Sequence, residues 1–403
     1  MMGLLATGSP GGCSTSPAIP VGHELSVSAE PAVRTGPWGR LQLTRIDIEP
    51  PRAAIIDLLG QAPRWVFPLG SRAQVLDALR EAGLSPREIE QCDRQGVWET
   101  TTTGMVLRPP LAVVLGMSPG PRETLYRTLA RTSDNHDQRD PIPLPPGFLQ
   151  SMDTLGLDDA AVTRFKALLY GSGPWHLFAD LPALLMSLPN DRDRVRWATV
   201  TMRAESYVVD LRVDARSDVD ALVRYWSLPG QDETFRPLLE SLTRVVGGVS
   251  IGVGRFLPAF VHTHRNRFPR PTDPIEARAD CFWTALNFAS DSPRVPVDDP
   301  AFVLNALKLR FHPTTAAPQL GTLIVLLNER GAPVHAAVHI ADDLVFTKNG
   351  TGAAHPWTFM KLASMVDLYT TLVGRLRVVF LTEIAPAPPS GNLANASGPT
   401  FRN

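Results

Sequence analysis

The chain has 403 residues, room for two domains of ordinary size or one with a large extension. Apolar residues make up 44%, enough for a sizeable core, and the 20% that are charged balance to −1, so no basic surplus points to nucleic acid. No apolar run approaches the roughly 18 residues that span a membrane, and three scattered cysteines, Cys13, Cys92 and Cys281, are too few for a disulfide framework or a zinc site.

The first 37 residues are rich in Gly, Ser and Pro. They read either as a disordered tail and linker or as the end of a bacterial lipoprotein leader. In the second reading small residues precede Cys13, the lipidated residue, and a polar tether follows it. The leader would lack a basic front end, and Pro10 stands where leucine is usual. The leader implies the cell envelope or periplasm; the plain tail implies the cytoplasm.

A globular pattern starts at Trp38. Residues 54–59 and 74–80 have helical periodicity, with Gly83 as C-cap of the second. Ser85-Pro86-Arg87-Glu88 is a helix start, with a Ser cap, Pro in the first turn and Glu three residues on. Val106–Arg108 and Leu111–Leu115 are apolar and β-prone, and Ser118 opens a helix through Leu129. After a proline-rich loop at 132–146, helices are expected over 158–170, 179–188 and 217–227. Thr199–Val213 reads as strand or exposed helix. Gly247–Gly254 lacks the Lys-Ser/Thr of a phosphate loop, so bending or close packing accounts for its glycines. The expected organisation is a mainly helical domain of unassigned role over 38–250, a second domain over 251–386, and a tail over 387–403.

The chemistry concentrates in the second domain. Asp280-Cys281-Phe282-Trp283 opens an apolar helix with Asp280 as its cap. A cysteine in a first turn feels the positive end of the helix dipole, which favours thiolate, and nearby backbone N–H groups suit an oxyanion. Gly321–Leu327 reads as a buried strand, 328–331 as a turn, and Pro333–Ile340 as the next strand. Residues two apart in a strand share a face, so His335, Ala337 and His339 point together. His335 is the candidate base for Cys281, and His339 is the alternative. After the Asp342-Asp343 turn, Thr347 and Asn349 share a face from which either would hold the imidazole in one tautomer; Asn349-Gly350 is equally a turn signal. A Cys92–Cys281 bridge, which would silence the nucleophile, stays open. His355-Pro356-Trp357 reads as a loop anchor. His262 and His264 lie among Arg265, Arg267 and Arg270 in a solvated turn or a contact for an acidic substrate.

Asp280-Cys281-Phe282-Trp283 followed by His335-Ala-Ala-Val-His339-Ile-Ala-Asp-Asp-Leu-Val-Phe346 resembles the NlpC-type, papain-like cysteine peptidases and amidases over roughly 255–385. The Ser-Gly that follows the family's Asp-Cys is absent, and Thr322 stands where the family's strand carries Asp. The resemblance implies an α+β fold with the cysteine helix packed on an antiparallel sheet. It also implies hydrolysis of an amide, in a peptide or cell-wall fragment, through a Cys281 acyl-enzyme. By spacing, Thr347 falls at the family's third catalytic position, with Asp280, Phe282 and Trp283 lining the oxyanion and substrate side. No metal or organic cofactor is implied. An acyltransferase would use the same Cys-His pair, and a binding or scaffold protein would keep the fold without the activity.

Overall fold

A computed structural model describes residues 32–384, apart from 229–234, 291, 292, 294, 297 and 298. Cys13 and the C-terminal tail over 387–403 lie outside the described residues. In chain order the strands are β1 (Ala32–Gly36), β2 (Gly39–Ile48), β3 (Trp65–Phe67), β4 (Val97–Thr101) and β5 (Gly104–Arg108). There follow β6 (Ile142–Leu144), β7 (His176–Phe178), β8 (Ala204–Val213), β9 (Val249–Gly252) and β10 (Phe311–Pro313). The last five are β11 (Leu323–Leu327), β12 (Pro333–Ala341), β13 (Leu344–Lys348), β14 (Trp357–Lys361) and β15 (Arg377–Glu383). They form antiparallel sheets ordered β1-β2-β8-β9, β3-β5-β4, β6-β7 and β10-β15-β11-β12-β13-β14, with helices packed around them. The class is α+β.

Several expected elements form as their residues dictate. Ser85 and Glu88 make a reciprocal capping box on the Pro86–Gln95 helix. The Arg72–Glu81 helix ends where Gly83 adopts φ +91, a left-handed conformation that carries no Cβ penalty in glycine. Thr199–Val213 divides: the Asp191–Met202 helix runs into it, and β8 takes the rest.

Two expectations are corrected. Residues 32–36 are no linker: β1 pairs with β2 around a two-residue loop, Pro37-Trp38, with Gly39 at φ +90. Leu111–Gly116 is a helix rather than a strand. Its start follows Pro109-Pro110, and buried Arg122 donates to the carbonyls of Val114 and Met117 at its end, so tertiary contacts outweigh the β-branched preference. Over 38–250 helix exceeds strand, as expected, and two small sheets lie there whole together with β2 and β8 of the four-stranded one.

The six-stranded sheet separates two apolar clusters. One face carries Leu323, Val325, Ala336, Val338, Phe346 and Trp357, packed with Trp283 and Leu286 and with Leu41, Val209 and Trp226 from earlier in the chain. The other carries Ile324, Leu326, Ala337, Val345 and Met360, packed with Leu368 and Tyr369 of the Leu362–Val373 helix and with Leu107 and Tyr126. Each cluster therefore draws on both sides of residue 250. A buried serine also joins two sheets: Ser206 of β8 accepts from the Phe359 N–H of β14 at 2.9 Å and donates to Asn266 Oδ1 at 2.6 Å. Among the described residues no helix is long and apolar enough to cross a membrane.

Candidate active site

The Cys281–Leu286 helix begins as the sequence indicates, with the Asp280 carboxylate accepting from the Trp283 N–H at 2.7 Å. That bond uses a donor otherwise expected to face an oxyanion. The helix lies against β12 and β13 on the face of Ala336 and Phe346, and Thr284 Oγ1 accepts from Trp357 Nε1 at 2.9 Å. Trp283 is core, its ring edge-on to Phe260, and Phe282 packs partly buried beside it.

His335 sits on the opposite face. It pairs with Leu326 across a register shift that follows Leu326, is fully buried, and stacks on Tyr369 with ring centres 3.9 Å apart. The cysteine helix and the histidine thus approach one strand from two sides. The backbone N–H groups of Ala336 and Phe282 face the Cys281 thiol. No hydrogen bond joins Cys281 to His335.

Of the two candidates for a third residue, Thr347 is the partner. Its hydroxyl donates to the Ala336 carbonyl at 3.2 Å and stands 2.9 Å from His335 Nε2. A hydroxyl has one proton, so Nε2–H donates to Thr347, and Nδ1 carries the lone pair. Nδ1 is buried without a partner. Asn349, chemically the more attractive candidate, donates to Met360 Sδ instead. His339 does not serve as base, because its nitrogens face the Gln319 and Asp342 carbonyls at 3.1 and 3.0 Å.

The electrostatics favour neutral groups at rest. Burial, then the charge of Asp280, pushes the Cys281 thiol well up, against the favourable N–H contacts. Burial lowers His335 to about 3. A histidine that loses its proton so readily is a neutral acceptor throughout the physiological range. Cys92 is buried in a different cluster and pushed to about 12, and it is no partner of Cys281: both cysteines are free thiols.

Sequence reasoning passed over three neighbours. Lys348, one residue from Thr347, points to the helix side and is wholly buried. Tyr369 underlies the imidazole. Asp140, from the loop before β6, accepts from Thr351 Oγ1 at 2.5 Å and pairs with Arg139, while its carbonyl meets His355 Nε2 at 2.8 Å. His355-Pro356-Trp357 thus anchors the loop, as expected. A Cβ on Gly350 would meet Asp140 Cβ at 3.1 Å and the His355 ring at 3.0 Å, and its φ is +125, so this close seal needs glycine. The alternation of β13 would have flagged Lys348 had the helix been assigned to the other face. The basic stretch meets an internal acid: Arg267 and Arg270 bond Glu276, and although burial opposes it they hold that carboxyl at about 2.

Two surface hollows, of about 280 and 270 Å³, are lined by Pro68–Gly70 with Thr100–Gly104, and by Pro51 and Thr263 with Arg267–Pro271. Neither includes Cys281 or His335. Among the described residues no group of three or more His, Cys, Asp or Glu is placed to hold a metal ion. The chain matches no known protein family, no curated protein and no solved structure.

Proposed function

We propose that this chain is a cysteine-dependent hydrolase of an amide bond, with Cys281 as nucleophile, His335 as base and Thr347 as the group that fixes the imidazole tautomer. The observation that carries this reading is the His335–Thr347 bond, because it leaves a neutral, buried and unpartnered Nδ1 one residue from the N–H that faces the Cys281 thiol. Nδ1 takes the thiol proton and sulfur attacks the amide carbonyl. The tetrahedral adduct collapses, the leaving amine receives the proton, and water then releases the acyl group from sulfur. The resemblance to NlpC-type enzymes supplies the substrate class, a peptide amide such as that of a cell-wall fragment.

One observation favours a second reading, a binding protein that keeps the fold without the chemistry: Cys281 is only 8% exposed and lines neither of those two hollows. A single experiment separates the two. In a Cys13→Ser, Cys92→Ala background, the rate of Cys281 alkylation by iodoacetamide is followed against pH, alone and with His335→Ala. The hydrolase reading expects alkylation at pH 7 in spite of the raised resting value of the thiol, because His335 takes its proton, and expects it to be lost in His335→Ala. A thiol that is inert, or indifferent to His335, leaves the binding reading.

A further inference from the structure

A buried ammonium is costly unless its charge is answered. Lys348 is fully buried, and among the described residues no carboxylate forms an ion pair with it. Its Nζ donates to the carbonyls of Gly350 and Gly352 at 2.8 and 3.4 Å and stands 5.5 Å over the Trp357 ring. That leaves one of three N–H groups without an acceptor. Burial draws Lys348 down to about 8, while Asp140, Asp280, Cys281 and Glu276 act to keep it charged.

The placement is specific. Lys348 follows Leu344 and Phe346 on the face of β13 that receives the Cys281–Leu286 helix. Trp357, paired with Lys348 across β13 and β14, bonds Thr284 in the turn after Cys281. The imidazole lies on one face of the sheet, and the ammonium lies on the other, with the helix that carries the thiol. The charged and titratable groups that bear on that thiol are Asp280 from its own helix, Asp140 from the loop before β6, Tyr369 on the far face, and Lys348. Two carboxylates oppose ionisation, and Tyr369 stays neutral.

We propose that Lys348 is the counter-charge of the Cys281 thiolate, a positioning residue that makes ionisation of a buried thiol affordable. When the S–H bond breaks, its proton goes to His335 Nδ1 and Lys348 keeps its own. The proposal rests on the hydrolase reading above.

Alkylation of Cys281 against pH is compared among the parent, Lys348→Met, Lys348→Arg and His335→Ala. Lys348→Met should slow the reaction at pH 7 by about tenfold or more, the equivalent of one pKa unit, and Lys348→Arg should restore it to within about threefold. A Lys348→Met rate within about twofold of the parent, while His335→Ala still abolishes reactivity, overturns the role of Lys348 and leaves the hydrolase reading standing. An inert parent thiol overturns both. Should Lys348→Met fail to fold, Cys281→Asp and Cys281→Asn are compared by thermal melting at pH 7. With Lys348 as counter-charge the Asp variant melts at or above the Asn variant; an Asp variant more than about 5 °C lower overturns the proposal.

Discussion

Asp280 has two effects that oppose each other. Its oxygen caps the helix that carries the nucleophile, and its charge, after burial, is the next cause of the raised thiol pKa. Asp280→Asn keeps an acceptor for the Trp283 N–H and removes the charge. Alkylation of Cys281 at pH 7 should therefore quicken by about three- to tenfold, as expected for a drop of half to one pKa unit, with the melting temperature held as evidence that the cap survives. An unchanged or slower rate would mean that the charge of Asp280 does not reach the thiol. The cap was legible in Asp280-Cys281, but that His335 meets Thr347 depends on how their two strands pair, which the period of two within either strand does not fix. That the cysteine helix takes the other face was not legible, because it depends on which apolar set, Ala336 with Phe346 or Ala337 with Val345, the helix covers, and both are equally apolar in sequence. Lys348 was hidden for the same reason.

At the scale of elements, the Leu111–Gly116 helix shows why local propensity misled. Its C-terminal carbonyls are answered from the next helix by Arg122, which also pairs with Asp180, while Tyr126 donates to the same carboxylate. Arg122 is 0% exposed and Asp180 3%. Arg122→Met would strand a buried carboxylate and two carbonyls, and should cost about 3–5 kcal/mol in denaturant unfolding. Adding Asp180→Asn should recover part of the loss, and a single variant within about 1 kcal/mol of the parent would show that the network is not stabilising. Ser118-Pro119 announced the second helix clearly; nothing in Arg122 itself announced that it would be buried.

At the scale of the whole molecule, buried imidazoles set the response to acid. His335 is held at about 3 and His355 at about 4, from 6.5, both by burial. Between about 6.5 and 4 the unfolded chain binds protons that the folded chain refuses, so stability falls as pH falls, by about 1.4 kcal/mol per pH unit for each imidazole. Asp137, raised to about 6 from 3.8 by burial, works in the opposite direction and offsets one of them. His264 and His339 are lowered too and add to the fall. The net expectation is a loss of about 1.4 kcal/mol or more per unit between pH 6 and 4, read from urea midpoints, with a flatter profile in His355→Asn. Stability that holds or rises on acidification would contradict it. The balanced charge of the sequence gave no hint of this, because burial rather than net charge produces it.

The pairing of β2 with β8 has a consequence for the cell that makes this protein. Ile48 lies opposite Ala204, and the cluster behind that sheet is not closed until Trp357 and Phe359 arrive. At about 5–20 residues per second the partner strand leaves the ribosome on the order of ten seconds after β2. During that wait the growing chain carries half a sheet and most of an apolar surface with nothing to cover them, and its burden on chaperones is greatest before translation ends.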